Sequence, residues 1–190
     1  LCIFWLAGRI DARGWGLEGD TIDAMAELRA AGEEVWFDLG DEDLALCRDR
    51  AARLAAGERL TECLIDQSRA YGAAATVLPM SDDPVRTVVV SDGRPIGLQE
   101  FLIRERGAAP IAHVDYEGED SAGATPELLA AIAAAEVIVI GPSNPVLSIG
   151  PILAVAAIRA AIDAASAPVI AVSPIVGGRV LKGPTAACMA

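Results

Sequence analysis

The stretch Val137–Leu153, VIVIGPSNPVLSIGPIL, limits what this chain can fold into more than any other. It opens with four β-branched apolar residues, Val137 to Ile140, and stops at Gly141-Pro142. A run that short, apolar at every position and closed by Gly and Pro, is the pattern of a strand buried on both faces of a parallel sheet. From Ile149 to Ala165 the chain is alanine-rich and predicts a long helix. Between the two lies a loop of Gly, Pro, Ser and Asn. Junctions of this kind, at the carboxyl edge of an open α/β sheet, are where ligands bind. A helix start also offers N–H groups and a partial positive charge that suit an anion such as phosphate.

The flanking sequence repeats the theme. Thr125-Pro126 opens the helix PELLAAIAAA, with Thr at the cap and Pro in the first turn. After the long helix, Ala167-Pro168 leads into the strand VIAVS. This alternation predicts an α/β fold with a doubly wound, mainly parallel sheet. A second Gly-rich loop, PIVGGRVLKGPT, follows, and parallel strands would put Ser143 and Gly177 on one edge of that sheet.

Upstream, Asp20 or Thr21 is the expected N-cap of the helix TIDAMAELRAAG, and Asp41 that of DEDLALCRDRAARLAAG. Thr61 to Tyr71 predicts a further helix. Val35–Phe37, Ala74–Leu78 and Ile111–Tyr116 predict short strands, Arg86–Leu98 a hairpin turning at Asp92-Gly93, and Gln99–Gly107 a short helix. Residues 1–190 are expected to form part of a single α/β domain, with about 58–115 as a less regular helical or small-sheet insertion. The first residues, LCIFWLAG, and the last, TAACMA, read as pieces of helices, so both ends are expected to be internal to a longer domain.

Charge narrows the partners. Fifteen Lys and Arg against 27 Asp and Glu give a formal net charge of −12 without a basic cluster, which argues against nucleic acid. A small phosphorylated ligand stays open, because local N–H groups or Mg²⁺ can hold one on an acidic protein. Four dispersed cysteines and a single histidine, His113, argue against a zinc site and for free thiols in a reducing cytoplasm. No run reaches the roughly 18 uninterrupted apolar residues of a membrane span. With one histidine no Ser-His-Asp set can be assembled. Phosphoryl-type transfer fits better, since positioning and charge neutralisation carry most of its catalysis.

Several residues stand out, each with a structural alternative. Ser143, Asn144 and Ser148 could converge on a phosphate or simply cap the following helix. Asp82 and Asp83 could hold Mg²⁺ or orient a hydroxyl, or could form the turn ahead of Pro84. Asp20 and Thr21 could serve a site or only a cap. Trp15 could stack on a ring or sit in the core. Lys182 could neutralise phosphate or be an exposed lysine.

Six segments taken together resemble one family: RGWGLEGDT, WFDLGDEDLA, LPMSDDPV, LQEFLIR, GPSNPVLSIGPILAV and SPIVGGRVLKGP, in that order over nearly the whole chain. The family is that of the 2-phospho-L-lactate transferases of coenzyme F420 biosynthesis. The resemblance implies a Rossmann-like three-layer fold and a Mg²⁺-dependent transfer. The donor would be a guanosine diphosphate ester of lactate, or of enolpyruvate in some bacteria. The acceptor would be the ribityl hydroxyl of the deazaflavin FO, and GMP would leave. By the same resemblance Ser143, Asn144, Ser148, Gly177 and Gly178 would face the donor. Asp20, Thr21 and Trp15 would lie on the FO side, and Asp82 and Asp83 would flank the cleft. The family's first Gly-rich loop and its acidic pair have no counterpart here and would precede Leu1, so this piece alone is expected to be inactive, with no metal ligands assigned within it. Cys47 and Ala51 stand where the family carries histidine and threonine. The alternative is a nucleotide-binding regulator of a related Rossmann-like family, without transferase activity. A cytoplasmic protein, with an isologous homodimer as the commonest default assembly, completes the expectation.

Overall fold

The structure is a computed structural model that describes residues 2–12, 14, 16–180 and 183–189. The chain divides into two compact units, Leu1–Pro79 and Met80–Ala190.

The first unit is helical: α1 (Cys2–Leu6), α2 (Asp23–Ala30), α3 (Asp41–Ala55) and α4 (Leu60–Ala70). Its core gathers Ile3, Phe4, Leu17 and Leu46, with Leu64, Tyr71 and Val77 packed against them. The Phe4 and Tyr71 rings meet at 5.2 Å in a tilted arrangement, a favoured geometry for aromatic pairs. Buried Gln67 ties α4 to α3. Its carbonyl accepts from Arg50 Nε and Nη2 at 3.1 and 2.9 Å, and its amide donates to the Leu46 carbonyl and to Asp49. Val35–Phe37 and Ala74–Leu78 are not strands. Strand character needs a ladder of backbone partners, and among the described residues neither segment has one; the Ala74 N–H donates to the Leu6 carbonyl at 2.9 Å as a single bond.

In the second unit β1 (Arg86–Ser91) is the centre of an antiparallel sheet, flanked by β2 (Arg94–Gly97) and β3 (His113–Glu117). The expected hairpin is present. Asp92 and Gly93 both take positive φ, 49° and 74°, as the two-residue turn between right-twisted strands requires. The LQEFLIR segment forms a π-turn, Glu100–Arg104, whose Phe101 is fully buried against Val89, Ile96 and Leu147. Helix α5 (Pro126–Ala133) begins as predicted, with Thr125 Oγ1 accepting from the Leu128 N–H at 3.3 Å.

The parallel part of the fold is the pair β4 (Ile138–Ile140) and β5 (Val169–Ala171), joined in the register Ile138↔Val169 to Ile140↔Ala171. Burial on both faces, expected for β4, is not what the structure has. Val139 is 59% and Ile170 51% exposed, whereas Ile138 packs against the cluster of Ile132, Val155 and Ile158. Only one face of this pair has side chains against it among the described residues.

The long helix predicted from Ile149 to Ala165 is broken. A π-turn, Pro145–Ile149, runs into α6 (Gly150–Ala154), and α7 (Ala156–Ala164) follows after a bend of 85°. Val155 makes the corner at φ −67°, ψ 103° and is wholly buried. A β-branched residue accepts extended backbone readily, and burial of its side chain beside Ile158 outweighs the helical preference of the alanines around it. No single described helix is long and apolar enough to cross a membrane. The chain continues through a short hairpin, β6 (Ile175–Val176) and β7 (Arg179–Val180), to α8 (Thr185–Cys188).

Candidate functional site

The parallel pair sends both carboxyl ends to one edge, where the Val172 N–H donates to the Ile140 carbonyl at 2.9 Å. Gly141 to Asn144 leave from that edge, and the Ser143 N–H closes a tight turn on the Gly141 carbonyl at 2.8 Å. Asn144 then starts the π-turn. Its Oδ1 accepts from the Val146 and Leu147 N–H groups, both at 2.9 Å. Its carbonyl accepts from Ser148 and Ile149, at 3.0 and 3.1 Å. Pro145 has no N–H to offer. Every donor of this first turn therefore has a partner within the protein, and of the two roles open to Asn144 the structure provides the cap. The polar groups left on the loop are the hydroxyls of Ser143 and Ser148, which form no hydrogen bond with described residues.

The antiparallel sheet holds this turn from behind. Leu147 is buried among Val89, Ile96 and Phe101. The Tyr116 hydroxyl donates to the Val146 carbonyl at 2.6 Å, and the Thr87 hydroxyl reaches the Leu147 carbonyl at 3.5 Å. A side chain at Gly150 has no room, because a Cβ there would fall on the Tyr116 hydroxyl and 2.7 Å from its Cζ. Cys188, on α8, lies 3.7 Å from Asn144 Nδ2. Sequence reasoning missed Tyr116, Thr87 and the steric demand at Gly150. The only available signal was the Gly inside the SIGPIL segment.

Gly177 and Gly178 make the two-residue turn of the β6–β7 hairpin, at φ 58° and 76°. Positive φ accounts for both glycines, and no described residue lies within 4 Å of where their Cβ atoms would be. Asp83 is exposed and belongs to a turn. Its N–H donates to Ser81 Oγ at 3.0 Å and its Oδ2 accepts from the Gly123 N–H at 3.1 Å, so it joins two loops of the second unit. Asp82 beside it is half-buried.

In the first unit Asp20 and Thr21 take part in a crossed pair of helix caps. Asp20, expected to cap α2, instead accepts from the Glu42 and Asp43 N–H groups at the start of α3, at 3.0 and 3.4 Å. Asp41, expected to cap α3, accepts from Asp23 and Ala24 at the start of α2, at 3.0 and 2.9 Å, and from the Thr21 hydroxyl. Each carboxylate thus neutralises the positive end of the other's helix. Gly40 makes the close approach feasible, since a Cβ there would lie 2.5 Å from Asp20 Cγ. Trp15 and Lys182 fall outside the described residues.

These bonds hold the Asp41 carboxyl below its usual range, the Thr21 hydroxyl first among the causes and the Ala24 N–H next. A carboxylate with a depressed folded pKa stabilises the fold above its unfolded value, near 3.8, and loses that contribution as pH falls through the folded value. Melting of wild type and Asp41→Asn should therefore differ at pH 7, and the difference should shrink as the pH falls below 3.8. An equal gap at both pH values would contradict the crossed caps. The Cys47 thiol, by contrast, is pushed up by burial and next by the Asp43 carboxylate, which keeps it protonated at neutral pH.

A Mg²⁺ site needs several oxygen ligands around one point. Among the described residues no three His, Cys, Asp or Glu side chains converge on a common point, and Asp83 already spends one oxygen on Gly123. The described residues therefore do not by themselves fit a Mg²⁺ site.

The sequence model of the family described as "2-phospho-L-lactate transferase CofD" matches residues 3–190. Among curated proteins, the phosphoenolpyruvate transferase of Mycobacterium avium is 42% identical over 100% of this chain and 58% of its own length. The 2-phospho-L-lactate transferase of Methanosarcina mazei is 37% identical over 80% of this chain and 50% of its own. The chain thus spans little more than half the length of these relatives. Among solved structures, a UPF0052-family protein of Bacillus halodurans superposes with a TM-score of 0.53 at 23% identity, covering 68% of this chain and 40% of its own. That likeness bears on the fold, which is α/β and Rossmann-like.

Proposed function

This chain belongs to the 2-phospho-L-lactate transferase CofD family, and on that premise we propose that the full-length protein transfers a phosphate-linked three-carbon acid from a guanosine diphosphate-linked donor to the deazaflavin FO, in the formation of coenzyme F420. The observation that carries the reading is the family match over residues 3–190. The fuller match is to the relative named phosphoenolpyruvate transferase, which favours enolpyruvyl over lactyl as the group transferred.

In the proposed reaction the terminal ribityl hydroxyl of FO attacks the donor's distal phosphorus. A new P–O bond forms to the ribityl oxygen, the bridging P–O bond breaks, GMP leaves with the bridging oxygen, and the hydroxyl proton is released. Ser143 and Ser148 are assigned to the donor phosphates. Their hydroxyls form no hydrogen bond with described residues and sit on a loop at the carboxyl edge of a parallel pair, where ligands of α/β folds bind. Asn144 is assigned to holding that loop in shape. The Gly177-Gly178 turn is assigned to the donor side, Asp82 and Asp83 to orienting the acceptor hydroxyl, and Asp20, Thr21 and Trp15 to FO. Mg²⁺ dependence belongs to the same proposal. A cytoplasmic location and an isologous homodimer complete it.

FO binding separates this reading from a nucleotide-binding regulator. Titrating the full-length protein into FO should change the deazaflavin fluorescence saturably. A flat titration at millimolar protein would remove the acceptor, and with it the transferase reading.

A further inference from the structure

Tyr116 and Thr87 face each other across strands β3 and β1 as a registered pair. Their hydroxyls reach the consecutive carbonyls of Val146 and Leu147, at 2.6 and 3.5 Å. Those are the same two residues whose N–H groups Asn144 Oδ1 holds at 2.9 Å. The peptide unit between Val146 and Leu147 is therefore held at both its carbonyl and its N–H, by the sheet behind and the cap in front, and the unit on either side of it is held at one group. The Tyr116 ring also closes over Gly150, where no Cβ fits. Between Asn144 and Gly150 lies Ser148, whose hydroxyl forms no hydrogen bond with described residues, with Leu147 anchored in the core beneath.

We propose that Tyr116, assisted by Thr87, is a positioning residue for the donor loop: the antiparallel sheet fixes the backbone that presents Ser143 and Ser148, and so sets the affinity for the guanosine diphosphate moiety. The inference rests on the donor-loop assignment above. Tyr116 itself touches no substrate. Its hydroxyl bonds to a backbone carbonyl, and its contribution is to the order of the loop before the ligand arrives, so its loss adds an ordering cost to binding.

The test uses full-length protein with GDP as probe. Tyr116→Phe removes one oxygen and keeps the ring over Gly150. Amide exchange in a peptide covering residues 145–150 should quicken, and the Kd for GDP should rise about fivefold, the loss expected for one neutral hydrogen bond. The KM for FO should stay unchanged while GDP binding weakens, a split that general loosening of the unit would not give. Thr87→Val should move the same quantities in the same direction by less, because its bond is longer, and it serves equally if Tyr116→Phe folds poorly. Unchanged exchange overturns the clamp. Faster exchange with an unchanged GDP Kd overturns its role in affinity. Asn144→Ala tells the two layers apart: if it too leaves GDP binding unchanged, the donor-loop assignment falls, whereas if it weakens GDP binding and Tyr116→Phe does not, only the positioning role falls.

Discussion

Asn144→Ala in the full-length protein is expected to lower transfer by about 100-fold while FO still binds. The substitution deletes one oxygen that accepts two N–H groups at 2.9 Å, and loss of such a cap costs about 1–2 kcal/mol of local order. Catalysis magnifies that loss, because displacement of a positioning element by about 1 Å is enough for a 100-fold drop in rate. Asn144→Asp supplies the control. It keeps the acceptor oxygen and therefore the cap, but brings a negative charge toward the donor phosphates. Steady-state GMP release should fall in both variants, whereas faster exchange at residues 145–150 should appear in the alanine variant only. Wild-type rates in Asn144→Ala would remove this loop from the site.

The second large effect is a reversal of sign at Gly150. Alanine in place of glycine within a helix ordinarily stabilises by about 1 kcal/mol. Here the new Cβ would collide with the Tyr116 hydroxyl and lie 2.7 Å from Cζ, with the Pro145 carbonyl oxygen at 3.3 Å on another side. Tyr116 must swing out and surrender its bond to Val146, so Gly150→Ala should destabilise the protein by about 1–3 kcal/mol, the usual cost of overpacking. Thermal or denaturant melts measure this directly. Adding Tyr116→Ala should recover part of the loss, while adding Tyr116→Phe should not, since the ring carbons remain. A neutral or stabilised Gly150→Ala would show that Tyr116 does not close over the turn.

Much of the fold was legible because local chemistry dictated it. Asp92-Gly93 gave a two-residue hairpin turn, Thr125-Pro126 gave a capped helix, and the apolar runs at Ile138 and Val169 paired in parallel. What sequence could not assign was the partner. Asp20 and Asp41 were both recognisable as caps, yet each caps the other's helix, a swap fixed by how α2 and α3 meet and by the missing side chain at Gly40. The bend at Val155 was hidden for the same reason. No Gly or Pro marks it, and burial of one side chain decides it. Val35–Phe37 and Ala74–Leu78 carry strand-like residues without a ladder to join.

In the candidate site the Ser-Asn loop was legible from composition, and its capping alternative from the position of Asn144 ahead of Pro145. The groups that hold the loop were not. Thr87 and Tyr116 lie 60 and 30 residues from the carbonyls they bond, on strands whose register no local pattern reveals. The hydroxyls of Ser143 and Ser148, without a hydrogen bond to described residues, differ from Asn144 only in the three-dimensional bonding pattern.

The most direct measurement is GMP release by the full-length protein, supplied with guanosine diphosphate-linked enolpyruvate, with and without FO. The predicted result is GMP formed only when FO is present, one equivalent for each FO that gains a phosphoenolpyruvyl group by mass. Saturable binding of both substrates with no FO-dependent GMP, or GMP released equally without FO, would contradict the transferase assignment.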